Sequence, residues 1–414
     1  MAIHLRKNLL QFVFAGAFMK RWNDKLRPME LVEVEKQAHK MMIAFLLLHL
    51  NSQKLNLREK TFLGQEIIKG AIFDYFYRLI ITDIKPPVFY KIKTNPAHYA
   101  ELTKWVLDQL QPKVEGLGKE FWQELCAYFQ KDHADTLSGQ ILSAAHLLAS
   151  KWEFDLLKKM NPFDPEIKDI DFSFLSQLKE YYSLKGVEVL VEDPSAPLTK
   201  FMNLCGQLRF QKRWSQTPRI PETSVLAHLF IVACYSYFFS LAVGACARRI
   251  ENNFFAALFH DIPELLTRDI ISPVKQSVDK IASLIREYER TELENKIFSL
   301  LKAKEGESIL ERLKYFLGIA VGSEFVSTIV EGGEVKEVTL EQLQTKYNQD
   351  VFEPKDGELL KVCDKLAAFL EAYTATKNGI MNEHLYQAQF KIKNKYQNYL
   401  LGEVHVGALL ADFD

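Results

Sequence analysis

The strongest constraint on what this chain can fold into is that it repeats itself. Lys20-Arg21-Trp22, with Arg27 six residues past Arg21, recurs as Lys212-Arg213-Trp214 with Arg219 six past Arg213, an offset of 192 residues. Ala38-His39 opens one apolar stretch, and Ala227-His228 opens another 189 residues later. The segment AIFDYFYRLIITDIKPPV from Ala71 aligns with ALFHDIPELLTRDIISPV from Ala257 at an offset of 186, setting Asp83 on Asp269 and Pro87 on Pro273. GQILSAAHLLASKWE from Gly139 aligns with GELLKVCDKLAAFLE from Gly357 at 218, which places His146 opposite Asp364. Four collinear matches point to a duplicated domain. At 414 residues the chain also exceeds what one hydrophobic core usually supports. The expected organisation is two tandem domains, residues 1–192 and 193–414, joined where Asp193, Pro194 and Pro197 mark a linker.

Most of both copies reads as helix, so the expected fold class is mainly α. Leu226 to Val243 is apolar nearly throughout, as a buried helix would be. Asp279 to Lys302, Leu359 to Tyr373 and Leu385 to Leu401 carry apolar residues near a 3.6 period among strong helix formers. Phe325 to Val338 alternates β-branched residues around Gly332-Gly333 and reads as a β-hairpin inserted in the second copy. Leu9 to Met19 has the look of a signal peptide, but its counterpart Leu198 to Phe210 precedes the second Lys-Arg-Trp. It therefore reads as an opening helix that is not cleaved.

Charge and cysteine usage narrow the function classes. Lys plus Arg (52) nearly balances Asp plus Glu (53), so no global field recruits nucleic acid or an anionic membrane, and any anion site must be local. The five cysteines are scattered, odd in number and form no CxxC pair. They read as reduced core thiols of a cytoplasmic protein. No apolar run is expected to reach the roughly 18 to 20 residues of a membrane span.

The chemistry concentrates between Asn252 and Val274, where an apolar run feeds into His260-Asp261 and is followed by Glu264 and Asp269. Burying such groups costs several kcal/mol unless a metal or hydrogen-bond partners compensate. His228 sits early on one apolar helix, His260 and Asp261 end another, and Asp364 lies inside a third. A lone histidine on an apolar helix is ordinarily a satisfied core residue, and a lone aspartate among Leu, Val and Ala ordinarily caps or pairs locally. The order His, His-Asp, Asp on three successive helices is more restrictive, and N/O ligands on rigid elements suit one water-activating divalent metal.

This constellation resembles the HD-domain metal-dependent phosphohydrolases, and HDIPELLTRDIISPVK from His260, preceded by Lys212-Arg213-Trp214 and Ala227-His228, resembles their bacterial 5'-deoxynucleotidase branch. The resemblance covers most of residues 200 to 375. It implies that His228, His260, Asp261 and Asp364 hold one divalent ion (Mn2+, Co2+, Fe2+, Zn2+ or Mg2+). It further implies that Glu264 orients or deprotonates the attacking water and that Asp269 contacts the nucleotide sugar or the water network. Arg213, a planar bidentate donor, would meet the phosphate. Arg268 stands where that branch carries glycine; with Lys275 it offers further phosphate contacts and puts monophosphate selectivity in doubt. Pro263 would break the helix between Asp261 and Glu264.

The expected function is a metal-dependent hydrolase of a nucleotide or small phosphate monoester. The alternatives are a nucleotide-binding regulatory or interaction protein with little turnover, or a nucleoside triphosphate or guanosine-tetraphosphate hydrolase. Neither a membrane nor a nucleic acid is an expected partner, and a homodimer is open. In the first copy the alignment puts His39, Asp74, Tyr75, Arg78 and His146 at the positions of His228, His260, Asp261, Glu264 and Asp364. That copy is expected to be non-catalytic.

Overall fold

The computed structural model describes residues 3–267 and 279–414. Among them the chain is mainly helical, as expected, and its strands form only two-stranded ladders. Six helices build the centre. The first half contributes α1 (Glu33–Asn51), α2 (Leu57–Ile81) and α3 (Leu137–Leu157); the second contributes α4 (Val225–Ala242), α5 (Ala247–Phe259) and α6 (Gly357–Lys377).

Helix α4 is apolar all round, and every residue from Val225 to Ser240 is buried. A helix with no polar face must be covered on all sides, and α4 is: it packs on α1, α5 and α6. By length and apolarity α4 is sufficient to cross a membrane, which corrects the expectation that no run reaches that length; 89% of it is buried inside the protein. His228, Ser236 and Ser240 interrupt the apolar run without giving the helix a solvent face.

The two halves share one continuous apolar core. Helix α1 packs on α4 and α2 on α5. Phe45 of α1 meets Phe255 and Phe259 of α5 at ring distances of 4.9 and 5.0 Å, and Tyr75 of α2 stands edge-on to Phe230 of α4 at 5.0 Å. Ser224, which caps α4, donates from Oγ to the buried Glu35 of α1 at 2.6 Å.

A local clamp is built twice. Lys20 and Arg21 pair antiparallel with Val32 and Leu31, and Lys212 bridges Ser224 in the same sense. Trp22 and Trp214 both take a left-handed backbone, φ 57° and 56°, a conformation that costs a bulky residue energy and persists only when its surroundings hold it. The holding group is a buried glutamate. Arg21 Nε and Trp22 Nε1 donate to Glu153 of α3 at 2.8 and 3.1 Å; Arg213 Nε and Trp214 Nε1 donate to Glu371 of α6 at 3.3 and 2.8 Å.

The expected hairpin is present: β1 (Thr328–Glu331) pairs with β2 (Glu334–Glu337) about Gly332 and Gly333, whose φ values of 65° and 83° meet the turn's demand for left-handed residues. The helix expected over Leu385 to Leu401 ends earlier, at Tyr396. Leu400 and Leu401 instead pair with Val404 and His405 around Gly402 (φ 58°).

Candidate metal centre

Helices α4, α5 and α6 are locked together by polar contacts within an otherwise apolar packing. Asn253 of α5 donates to Ser240 Oγ of α4 at 2.9 Å, while its side-chain oxygen accepts from the Asp356 amide at 2.8 Å. Asp356 caps α6 through the Leu359 amide and pairs with the buried Arg249 of α5. The three helices are therefore fixed in register, and each delivers one part of the site. His228 lies in the first turns of α4, His260 and Asp261 follow directly on the last residue of α5, and Asp364 lies in the second turn of α6. Helix α5 stops at Phe259, a turn covers His260 to Pro263, and a short helix restarts at Glu264, consistent with the break that Pro263 implies.

His228, His260 and Asp261 bring ligand-type atoms within 4.8 Å of one another. The imidazole centroids of the two histidines are 5.7 Å apart. His228 Nε2 lies 3.0 Å from Asp364 Oδ1 and 3.9 Å from Asp261 Oδ2, and His260 Nε2 lies 3.3 Å from Asp261 Oδ2. All four sequence-predicted ligand positions thus converge on one locus.

The donor set fits a divalent ion. His260 Nδ1 bonds the Ala257 carbonyl at 2.8 Å, leaving Nε2 buried with no hydrogen-bond partner among the described residues. A buried nitrogen lone pair without a partner is costly, and an imidazole held by its other nitrogen is how proteins present a histidine to a metal. Two imidazoles and two carboxylates suit Mn2+, Fe2+, Co2+ or Zn2+. Burial alone would raise the Asp364 carboxyl, but Lys365, His228 and His260 hold it well below the usual carboxylate range. Burial and Arg213 depress His228, yet Asp364 and Glu371 outweigh them and its imidazole is shifted upward.

Arg213 flanks this locus. Its Nη1 is 3.5 Å from Asp261 Oδ2 and its Nε is bound to Glu371, so the guanidinium bridges a candidate ligand and the clamp. Glu264 is buried, its amide bonds the Asp261 carbonyl at 3.0 Å, and its charge acts on Arg213. Arg268, Asp269 and Lys275 lie outside the described residues.

Three further residues belong to this neighbourhood that sequence reasoning did not single out. Lys365 Nζ pairs with Asp364 Oδ2 at 2.9 Å. Glu324, in the segment leading into β1, is half-buried, and the desolvation pushes its carboxyl up while it feels the charges of His260 and Asp261; the adjacent Phe325 ring lies 6.2 Å from that of His260. The hairpin insertion thus delivers one wall of the site. The third is Glu371, seven residues past Asp364 and hence on the same helix face. It is the last residue of the repeated segment, opposite Glu153, and that identity was its available signal.

The first half differs from the alignment. His39 Nε2 bonds the Met202 carbonyl at 3.0 Å, and Tyr75 donates to the Val13 carbonyl at 2.6 Å. The matched pairs Lys20–Val32 and Lys212–Ser224 start α1 and α4 at the same distance past the clamp. The offset of 192 therefore carries through, and Lys36, not His39, corresponds to His228. Its Nζ lies 2.7 Å from His146 Nδ1, as His228 lies against Asp364. Lys40 pairs with Asp74 at 3.3 Å, and Arg78 stands 3.6 Å from Glu33. Burial pushes the Lys36 amine down to about 7 against the pull of Glu33. Amines and a guanidinium fill the place where the second half gathers N and O donors.

Fold and site together define a helical protein whose second half collects two histidines and two aspartates as a divalent ion requires. Residues 205–393 match the family model described as HD domain. That match supports placing the second half in the HD-domain superfamily, whose members are generally metal-dependent phosphohydrolases. No curated protein and no solved structure matches the chain significantly.

Proposed function

We propose that the second half is a metal-dependent phosphohydrolase of the 5'-deoxynucleotidase-like branch, acting on a nucleotide or small phosphate monoester in the cytoplasm. The observation that carries the reading is the mutual approach of His228, His260 and Asp261 within 4.8 Å, with Asp364 at 3.0 Å from His228. A bound divalent ion would lower the pKa of a water from about 16 to about 7 and stabilise charge on the phosphoryl oxygens. Arg213 and Lys365, already at the carboxylates, are the cations a phosphoryl group would meet on entering. Glu264, one turn past the His260-Asp261 pair, orients the attacking water or takes its proton. Arg268, Asp269 and Lys275 are assigned to the phosphate and sugar side by resemblance. All five cysteines are free, in keeping with a reducing compartment.

The halves are proposed to be copies of one domain, the first having lost its chemistry. A lysine at the place of His228 and an arginine at that of Glu264 leave it neither the ligand nor the base, and it serves as the cover that buries α4 and α5. The test is hydrolysis of mono- and triphosphates by the purified protein with Mn2+ or Co2+, beside an Asp261→Ala variant. Phosphate release by the wild type and none by the variant is expected. Equal rates would overturn the reading, and pyrophosphate or triphosphate release would move the substrate class.

A further inference from the structure

We infer that Glu371 is a positioning residue of the metal centre, its buried carboxylate fixing the tautomer and rotation of His228 so that Nε2 presents its lone pair to the ion. The inference rests on the metal-site reading above and extends it to a residue outside the four candidate ligands.

His228 is fully buried, so each ring nitrogen must find its partner inside the protein. Nε2 faces Asp364 and Asp261 at 3.0 and 3.9 Å. Nδ1 faces Glu371 Oε1 at 3.4 Å, a charge-pair distance whose geometry falls just short of a hydrogen bond. An imidazole that ligates through Nε2 carries its proton on Nδ1, and the acceptor behind the ring sets that tautomer. Glu371 is itself immobilised: Thr223 Oγ1 donates to Oε1 at 3.0 Å, and Arg213 Nε and Trp214 Nε1 donate to Oε2 at 3.3 and 2.8 Å. His260 is oriented by a neutral carbonyl instead, that of Ala257. A carboxylate behind one of the two imidazoles makes His228 the stronger donor of the pair.

The first half separates positioning from scaffolding. Glu153 holds Arg21 and Trp22 as Glu371 holds Arg213 and Trp214, but the residue at the place of His228 is Lys36. Whatever Glu371 does for the fold as a clamp, Glu153 does too. Among the described residues, Glu153 makes no such contact with an imidazole Nδ1.

The experiment compares Glu371→Gln and Glu153→Gln in the full chain by thermal unfolding without metal, calorimetric Mn2+ binding, and the visible spectrum of bound Co2+. Both variants are expected to lower Tm. Glu371→Gln alone is expected to weaken Mn2+ binding by about 10- to 100-fold and to shift the Co2+ bands, while Glu153→Gln keeps wild-type affinity and spectrum. Wild-type Mn2+ affinity in Glu371→Gln would overturn the inference, as would equal loss in both variants, which would make the effect one of folding. Should Glu371→Gln fail to fold, Glu371→Asp keeps the charge but withdraws it from Nδ1; weaker Mn2+ binding is expected, and unchanged binding overturns the inference. Failure of the wild type to take up Mn2+ or Co2+ would instead sink the underlying metal-site reading, and is recognisable because it needs no substitution.

Discussion

His39 shows how one residue can mislead a reading of sequence and still be informative. It matched His228 through a shared Ala-His pair, yet it is a core histidine bonded to the Met202 carbonyl. Burial, with Arg209 adding to it, pushes its imidazole down to about 3. An unfolded histidine titrates near 6.5, so between about 3 and 6.5 the unfolded chain holds a proton that the native chain does not. Its contribution to stability is complete above pH 6.5 and is lost as pH falls, at about 1.4 kcal/mol per unit. Urea unfolding at pH 7 and 5.5 should therefore show the stability difference between wild type and His39→Gln moving by that slope; parallel pH dependence would contradict the assignment. His228, His260, Asp261 and Asp364 were legible because titratable residues on apolar helices demand an explanation. Lys36 was not, since a lysine in the run EVEKQAHK looks like an ordinary solvated face until its burial is known. Glu371 lies in the apolar run LAAFLEAY, and its match to Glu153 was the signal that could have found it.

Helices in this protein are held by polar keystones more than by propensity. Asp356 caps α6 and at the same time neutralises Arg249, both fully buried. Gly357, next in sequence, lets the backbone near Phe325 approach so closely that a Cβ would meet its carbonyl carbon at 2.3 Å. The start of the helix bearing Asp364 is therefore pinned to both α5 and the hairpin insertion. Asp356→Ala removes a cap, worth about 1 kcal/mol, and strands a buried guanidinium, worth about 3–5 kcal/mol. Denaturant unfolding should show a loss nearer the second figure, and a loss below about 1 kcal/mol would mean Arg249 is satisfied without it. The helix positions were readable from 3.6-residue periodicity. The clamp strands were not: Lys20-Arg21 and Lys212 pair over two residues or one, too short for any alternation to register.

For the whole molecule, the expectation of two domains needs qualification in energetic terms. The halves were separable in sequence because the repeat gives them away, but α4 has no face left for water and is covered by α1 as well as by α5 and α6. The intact chain should unfold in one cooperative transition, and residues 193–414 expressed alone should aggregate or fail to fold. Two resolved transitions in calorimetry, or a soluble and cooperatively folding second half, would contradict a shared core.

In the second half four side chains converge where a single cation would sit, while in the first half amines fill the corresponding place. Anomalous diffraction from crystals grown with Mn2+ or Co2+ tests this directly. The predicted result is one peak per chain, bounded by His228, His260, Asp261 and Asp364. No peak there, or a second one between Lys36 and His146, would contradict it.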